Sequence, residues 1–313
     1  MSSIDQPLQR VAVLLAAYNG MQWLSEQLES ILSQDGVDVT LYVSVDRSND
    51  GTYEWVCSVA DSDSRIVPLR YGEVFGGAAK NFFRLLCDVN FESFDYIAFA
   101  DQDDIWLPNK LQRAHYHLQS RSCDGYSTNV TALWPDGRRT LVNKSQPQMK
   151  WDYYFEAAGP GCTYVMTARL AKAIKQCVLA HRERIEEVAL HDWFCYAFAR
   201  SKGYSWYIDS EPSMLYRQHA HNQFGANTGT KALRSRLKQI YSGWWLSQVR
   251  LQASILQARE LPLIFRLDTS FRPGLFGLSL RAWHCRRRVR DKMFFLLICW
   301  LLMLRGPDNG GMR

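Results

Sequence analysis

The stretch DYIAFADQDDIWLPNKLQ, residues 95–112, joins a predicted strand to a predicted helix through an acidic cluster. The apolar run 95–100 has the length and residue types of a buried strand. Pro108 suits the first turn of the helix that follows, because an N–H there would have no partner. Unpaired buried carboxylates are costly, so the cluster must meet a cation, a hydrogen-bonding ligand or open water. Its members are Asp101, Asp103 and Asp104.

Three earlier segments repeat this order of strand and helix. Strands are predicted at 11–17, 39–45 and 65–71, and helical spacing follows each of them. This alternation predicts an α/β fold, in which helices on both faces cover a mostly parallel central sheet. Residues 122–167 predict a mixed β region that completes the sheet and walls a cleft. Beyond it we expect helices at 167–180 and 188–203, and strands at 204–209 and 213–219.

Polar side chains follow three of the predicted parallel strands. Ligands of such sheets bind outside the carboxyl ends of the strands, so we expect these segments to share one edge. No G-x-G-x-x-G follows the first strand, and no G-x-x-x-x-G-K-[ST] occurs in the chain, which argues against hydride transfer and P-loop chemistry. The segments are 18–20, 46–51 and 101–104.

The composition is that of a globular protein of 313 residues, with 47% hydrophobic and 22% charged residues. Its eight cysteines include no Cys-x-x-Cys pair, which indicates buried thiols in a reducing compartment rather than disulfides or a zinc site. The first apolar run has no basic leader and ends in Tyr-Asn-Gly. We therefore expect it to be a strand and not a secretory signal.

The net charge of +6 is unevenly distributed along the chain. Residues 1–228 carry 21 basic and 27 acidic side chains, whereas residues 229–313 carry 16 and 4, a balance of +12. The change predicts a main domain over 1–228 and a basic helical segment over 229–313, with one long amphipathic helix at 230–258. Anionic lipid and nucleic acid are the polyanions that such a segment attracts.

Six basic residues in 281–292 precede twelve uninterrupted apolar residues, 293–304. Twelve residues are too few to cross a bilayer, which takes about 20 in a helix. The run instead suits a helix lying at an anionic membrane surface. The alternatives are a buried helix packed on the main domain and a dimer contact. The continuous apolar run argues against nucleic acid as a partner.

Six segments, in this order and spacing, resemble the motifs of inverting family-2 glycosyltransferases with a GT-A fold. They are VAVLLAAYNG, VDRSNDGT, FADQDDIWLPNKL, GPGCTYVMT, LHDWFCYAFA and YRQHAHNQFG, within residues 11–226. The D-Q-D-D-I-W and Y-R-Q-H segments are most similar to bacterial rhamnosyltransferases of lipopolysaccharide and surface polysaccharide assembly. The resemblance implies a Rossmann-like GT-A domain with a mostly parallel sheet.

The resemblance also implies an activity and a location. The expected reaction moves L-rhamnose from dTDP-rhamnose to a lipid-linked or lipopolysaccharide-core saccharide, at the cytoplasmic face of the membrane. A UDP-hexose or another dTDP-hexose is the alternative donor. A nucleic-acid-binding protein that uses its basic tail is the alternative from another class.

For the nucleotide sugar, the resemblance implies a pocket at the first two strand ends. Ala17, Tyr18 and Asn19 would form its wall, and Asp46 would accept a hydrogen bond from the pyrimidine imide N–H. The family often has two aspartates there, whereas Asp46 follows a valine in this chain. Lys80 lies on the first turn of a helix after Gly76-Gly77, a candidate anion site, with simple loop flexibility as the alternative.

The acidic cluster matches the metal-binding D-x-D arrangement of the family. Alternation in an extended segment would place Asp101 and Asp103 on one side and turn Asp104 toward the next helix as a capping or structural group. By the resemblance, Asp103 coordinates a divalent ion and Asp101 meets the ribose or the water shell of the metal. Hard oxygen donors favour Mg²⁺ or Mn²⁺. Arg217 would contact the diphosphate and His219 would complete the metal shell, unless the histidines here are buried and structural.

Asp192 matches the position of the family's catalytic base. Partial burial at the start of a helix can raise the pKa of a carboxyl group toward the working range. The alternative is an N-cap aspartate. The neighbouring His191 is the weaker base candidate, because adjacent helical residues do not share a face. Gly161 would let the backbone approach the acceptor sugar, and Trp193 would stack on that sugar or belong to the core.

Overall fold

The computed structural model describes residues 7–219 and 242–306. The strands are β1 (Gln9–Ala17), β2 (Val37–Val45), β3 (Ile66–Pro68), β4 (Tyr96–Asp101), β5 (Ile105–Trp106), β6 (Gly125–Thr128), β7 (Val130–Leu133), β8 (Arg139–Val142), β9 (Val165–Thr167), β10 (Trp206–Asp209) and β11 (Met214–Arg217). The helices are α1 (Leu24–Leu32), α2 (Thr52–Ala60), α3 (Ala78–Asp88), α4 (Lys110–Ser120), α5 (Ala168–Ala180), α6 (Arg182–Ile185), α7 (His191–Ser201), α8 (Trp244–Leu256), α9 (Leu263–Thr269), α10 (Phe271–Ser279), α11 (Ala282–Cys285) and α12 (Val289–Arg305).

A seven-stranded sheet in the order β10-β6-β9-β4-β1-β2-β3 forms the centre of the molecule. Every pairing in it is parallel except those of β9, so the predicted mostly parallel sheet is confirmed. Ala17 pairs with Val45, and Ala16 pairs with Asp101. The carboxyl ends of β1, β2 and β4 therefore lie level at one edge, as predicted.

The central strand β1 is buried on both faces and sends alternate side chains into two hydrophobic clusters. Ala12 and Leu14 belong to one cluster, whereas Val13 and Leu15 belong to the other. A continuous apolar run is the pattern that such a doubly covered strand requires. The run 11–17 has this pattern, which is why the sequence locates the strand well.

A second sheet of four strands, in the order β5-β11-β7-β8, stands at the end of the central one. It contains β7 and β8, while β6 and β9 join the central sheet, so the mixed β region predicted for 122–167 is confirmed. Strand β5 pairs with β11 immediately after the acidic cluster. This pairing brings the end of β11 back over the aspartates.

The predicted helix at 230–258 begins at Trp244 in the described part of the chain, after Gly243 in the left-handed region with φ 79°. Residues 230–241 of that prediction lie outside the described residues, as does the predicted domain boundary at 228/229. The C-terminal helices share one hydrophobic cluster with the main domain. Phe295 of α12, for example, packs edge-on against Phe155 at a centroid distance of 4.9 Å.

Helix α12 is buried on one side only. Over residues 7–219 and 242–306, no helix combines the length and the apolar character needed to cross a membrane. The side that faces the domain carries Phe295, Cys299 and Leu302. The alternative of a buried helix packed on the main domain is therefore correct for one face of α12, whereas its other face is exposed and apolar. The exposed apolar residues are Val289, Met293, Phe294, Leu297, Trp300, Leu301 and Leu304.

A buried ion pair ties the C-terminal segment to the main domain. The side chains of Arg287 and Asp152 are 1% and 0% exposed, and Nη1 of the arginine lies 3.2 Å from Oδ2 of the aspartate. Arg287 also donates to the Ala157 carbonyl at 2.6 Å, and the Tyr196 hydroxyl donates to Asp152 at 3.0 Å. Both charges are thus paired and hydrogen-bonded, the condition under which buried ions are tolerated.

We expect Arg287→Met to lower the free energy of unfolding by about 3 kcal/mol, because the buried Asp152 carboxylate keeps only Arg200, 3.5 Å away, and the Ala157 carbonyl loses its donor. Urea denaturation would measure the change. Arg290→Gln is the matched control, since the Arg290 side chain is 65% exposed and its pair with Asp291 should contribute about 1 kcal/mol or less. Equal losses in the two variants would contradict this role of Arg287.

Candidate active site

A cavity of about 1810 Å³ opens at the carboxyl edge of β1, β2 and β4. Its walls come from the strand ends, the loop before α3, the chain after β8, the start of α7 and the start of α12. It brings together ten of the twelve predicted site residues, while Lys80 and Arg217 are not part of its lining. The ten are Ala17, Tyr18, Asn19, Asp46, Asp101, Asp103, Gly161, Asp192, Trp193 and His219.

The carboxylate of Asp46 orders the loop that leads into α3. Its Oδ1 accepts from the Phe75 N–H at 2.9 Å, and its Oδ2 accepts from the Gly76 N–H at 3.0 Å. Oδ1 also accepts from the N–H of Arg47. Because each carboxylate oxygen offers two lone pairs, Asp46 retains capacity for a further donor. Its contact with a nucleotide base stays a prediction.

The first strand end is held by side-chain amides. Gln102 bonds both backbone groups of Tyr18, accepting from its N–H at 2.7 Å and donating to its carbonyl at 2.9 Å. The Asn19 N–H donates to the Ser48 hydroxyl at 2.9 Å. Sequence reasoning missed Gln102, whose only signal was its place inside the acidic cluster. The Tyr18 ring is left exposed at the cavity, while Ala17 is buried behind it.

The acidic cluster does not run as an extended strand after Asp101, because the chain turns at 102–103. The alternation argument for Asp104 is therefore wrong. One ligand atom each of Asp101, Asp104 and Cys162 lie within 4.8 Å of one another, whereas Asp103 bonds His219. Asp104 is fully buried and accepts from the Arg217 N–H at 3.2 Å instead of capping α4. Asp101 and Asp103 still line the cavity together.

Lys110 supplies a cation beneath the aspartates, and sequence reasoning missed it. The side chain is fully buried, with Nζ 2.5 Å from the Cys162 carbonyl and 3.6 Å from the centre of the Trp106 ring. Burial lowers the pKa of Lys110 to about 7, against the opposing effects of Cys162 and of the charges on Asp104 and Asp101. The available signal was its helical spacing with the inward residues Ala114 and Leu118, four and eight positions further on.

The pKa values of the aspartates are raised in turn. Burial, and then the negative charge of Asp103, raises the pKa of Asp101 to about 7. Burial and the charges of Asp103 and Asp101 raise the pKa of Asp104 well above its ordinary value. Lys110 alone thus does not offset this concentration of negative charge, and a further cation at the cavity surface would stabilise it.

The residues present fit a divalent metal ion. Asp101 and Asp103 offer hard carboxylate oxygens, and the Oδ2 of Asp104 is buried with no hydrogen-bond partner in the described parts of the chain. The Nε2 of His219 lies 2.7 Å from the Oδ2 of Asp103, and its ring stacks on Trp23 at a centroid distance of 4.1 Å. The carboxylate oxygens suit Mg²⁺ or Mn²⁺.

Two predicted residues lie elsewhere. Arg217 donates from Nε to the Asp103 carbonyl at 2.9 Å and pairs with Glu26, so it braces the acidic cluster from outside the cavity. Tyr216, the preceding residue of β11, faces the cavity instead, as strand alternation requires. Lys80 is exposed on α3, where Ala79 and Asn81 line the cavity. The helical period thus points Lys80 to solvent.

Asp192 stands in the first turn of α7, and Leu190 is the N-cap residue. The N-cap alternative is therefore wrong. The Oδ1 of Asp192 accepts from the Trp193 N–H at 2.7 Å. Burial raises the pKa of Asp192 to about 6, while that hydrogen bond and the charge of Lys144 oppose the rise. Its carboxylate also lies within electrostatic reach of Asp101.

His191 is built into the core instead. Its ring stacks on Phe82 at a centroid distance of 3.9 Å, and burial lowers its pKa to about 3. A group with so low a pKa is a weak base at neutral pH, which favours Asp192. A Cβ atom at Gly161 would lie 2.5 Å from the Nε2 of His191, so glycine is needed there for close packing. Trp193 is 3% exposed and donates to the Tyr153 carbonyl, which favours its core role.

Comparisons with known proteins agree with this geometry. The model of the family described as Glycosyl transferase family 2 matches residues 12–155. The dTDP-rhamnosyl transferase RfbG of Shigella flexneri is 42% identical over 289 residues, which are 91% of this chain and 98% of that protein. The UDP-Glc:alpha-D-GlcNAc-diphosphoundecaprenol beta-1,3-glucosyltransferase WfaP of Escherichia coli is 25% identical over 52% of this chain and 62% of its own length.

Among solved structures, S. aureus TarS 1-349 in complex with UDP aligns with a TM-score of 0.53. It is 14% identical, and the alignment covers 87% of this chain and 75% of that one. The likeness concerns the fold, and it confirms the predicted GT-A architecture. Because a relative at 42% identity spans nearly the whole chain, the protein belongs to glycosyltransferase family 2.

Proposed function

We propose that this protein moves L-rhamnose from dTDP-rhamnose to a saccharide acceptor in lipopolysaccharide or surface polysaccharide assembly, with inversion at the anomeric carbon. The observation that carries the proposal is the 42% identity to a dTDP-rhamnosyl transferase over almost the full length of both chains. A UDP-hexose is the alternative donor, favoured by the shorter match to a transferase whose name specifies UDP-Glc.

The donor would lie along the edge formed by β1, β2 and β4. Asp46 and the exposed Tyr18 ring would meet the base, and Asp101 would meet the ribose. Asp103, with His219, would hold Mg²⁺ or Mn²⁺, which when bound neutralises the diphosphate as the sugar–phosphate bond breaks. The raised pKa of Asp101 favours this occupancy, because a cation would relieve its repulsion with Asp103.

Asp192 would act as the general base. It removes the proton of the acceptor hydroxyl while that oxygen bonds to the anomeric carbon, and the nucleoside diphosphate leaves with the electrons of the broken bond. Attack opposite the leaving group inverts the anomeric configuration. A carboxyl group with a pKa near 6 is ionised at neutral pH and is more basic than an ordinary aspartate.

The exposed face of α12 supports peripheral binding to the cytoplasmic face of the membrane. Leu297, Leu301 and Leu304 belong to its apolar side, and the segment 229–313 carries a charge of +12. An amphipathic helix with basic surroundings binds anionic lipid through both its apolar area and its charge. Three further large apolar residues between Phe271 and Cys285 are also exposed. They are Phe276, Leu280 and Trp283.

A panel of nucleotide sugars with a divalent ion would test the activity. We expect turnover of dTDP-rhamnose, and a loss of about a thousandfold or more in Asp192→Asn, because the transition state loses its proton acceptor. The amide still has an oxygen that can accept from the Trp193 N–H, so the variant should have the melting temperature of the wild type. Lys80→Gln, at an exposed site outside the cavity, is the control. Turnover of other donors only would exclude rhamnose.

The pH dependence of kcat should follow the ionisation of the Asp192 carboxyl group. The base works when deprotonated and its pKa is raised to about 6, so kcat should fall about tenfold per pH unit below that value. Rates are measured at saturating donor and metal, which keep Asp101 ionised. A rate that stays constant from pH 7 to pH 5 would exclude Asp192 as the base.

Vesicle flotation would test the membrane surface. Leu301→Ser/Leu304→Ser should weaken binding to phosphatidylglycerol vesicles by about tenfold or more, since each exposed leucine contributes about 1.5 kcal/mol when buried in lipid. Leu8→Ser/Leu179→Ser removes two leucines elsewhere that are 59% and 48% exposed, and it serves as the control. Equal binding by both double variants would exclude α12 as the contact.

A further inference from the structure

One wall of the cavity carries a cluster of cations from two distant parts of the chain. Lys144 follows β8, whereas Arg286 and Arg288 precede α12. All three line the cavity that also holds Asp192. We refer to these three residues as the cationic cluster.

The cationic cluster has fewer anions around it than cations. Glu156 lies 3.7 Å from Arg286 and 3.6 Å from Arg287, and Asp291 lies 3.9 Å from Arg286 and 3.1 Å from Arg290. Within 7–219 and 242–306, the side chains of Lys144 and Arg288 make no hydrogen bond or ion pair. Two positive charges in the cavity wall thus have no carboxylate of the described residues at ion-pair distance.

Three further observations indicate an excess of positive charge. The Nε of Arg286 is buried with no hydrogen-bond partner among the described residues. Burial, and then the guanidinium of Arg287, lowers the pKa of Lys144 to about 8, with Arg288 and Arg286 adding to the effect against Glu156. The N-terminus of α12, which follows Arg288, adds its own partial positive charge. An anion in the cavity would relieve this repulsion.

The cationic cluster lies between the catalytic base and an apolar wall. Lys144 is close enough to Asp192 to oppose the rise in its pKa. On the other side, Phe294 and Ile298 of α12 line the same cavity, together with Trp244 and Trp245. The ten residues from Arg288 to Ile298 correspond to about 15 Å of helix. The cavity wall therefore changes from the Asp192 carboxylate to the cationic cluster, and then to the apolar side chains of Phe294 and Ile298.

We propose that the cationic cluster binds a phosphate or diphosphate ester of the acceptor, and that the acceptor is a saccharide carried on a lipid diphosphate. The reacting sugar lies at Asp192, the phosphate at Lys144, Arg286 and Arg288, and the start of the lipid against Phe294 and Ile298. The donor diphosphate has its separate place at the acidic cluster. The inference rests on the proposed function, since it names the acceptor class for that reaction.

Kinetics with two acceptors would test the cationic cluster. The same saccharide is supplied on a short prenyl diphosphate or as a neutral alkyl glycoside, in detergent without phospholipid. We expect the wild-type KM for the diphosphate to be lower by about tenfold or more. Arg288→Gln should raise that KM by about 10- to 100-fold, the usual effect of losing a charged hydrogen bond, and should leave the KM for the glycoside in place.

Arg259→Gln removes the same charge from an exposed site outside the cavity and should leave both KM values as they are. Arg288→Lys, which keeps the charge, should recover part of the preference. Equal wild-type KM values for the two acceptors would overturn the proposal. So would an Arg288→Gln variant that loses affinity for anionic vesicles while keeping the KM ratio, because the cations would then serve phospholipid headgroups.

Binding of the prenyl diphosphate without any donor separates this inference from the proposed function. Calorimetry should show binding to the wild type that weakens by about tenfold or more in Arg288→Gln. If dTDP-rhamnose is not used but this binding is found, the donor assignment fails and the phosphate site stands. If dTDP-rhamnose is used but the probe does not bind, the phosphate site fails alone.

Discussion

The buried ammonium group of Lys110 is the interaction on which the active site depends. It lies between the Cys162 carbonyl and the Trp106 ring, within electrostatic reach of Asp101 and Asp104. Burying a charge costs several kcal/mol unless an opposite charge accompanies it. Lys110 and the aspartates meet that condition for each other. Strand β4 can therefore end in three carboxylates at the base of a cavity.

The charges at the acidic cluster are not fully balanced, and the remaining negative charge favours the binding of a cation. One buried cation faces three carboxylates, and the pKa of Asp101 stays raised to about 7. A divalent cation would add the missing charge on the cavity side. Arg217 holds the turn from outside the cavity through the Asp103 carbonyl, and His219 holds it at the cavity through the Asp103 carboxylate. The protein's own hydrogen bonds thus fix the position of this turn. The excess negative charge is left for a ligand to neutralise.

The repeated strands and helices were predictable because each has a period set by its own backbone. The run 11–17 and the level ends of β1 and β4 follow from that period and from the parallel order. The acidic cluster was predicted less well, because alternation assumes an extended chain and the chain turns after Asp101. Lys110 was missed because lysines on a first helical turn usually extend to water.

The C-terminal segment shows that the net charge of a sequence does not predict the surroundings of each charged residue. Its excess of basic residues predicts a polyanionic partner, but these residues have different surroundings. Arg287 is paired with Asp152 inside the core, 135 positions away in sequence, whereas Arg288 lines the cavity and Arg290, at the rim of the same cavity, is 65% exposed and paired with Asp291. No local sequence pattern distinguishes Arg287, Arg288 and Arg290 from one another, because they lie within four positions. Only the residues brought against them by folding decide which charge stabilises the fold and which is available to a ligand.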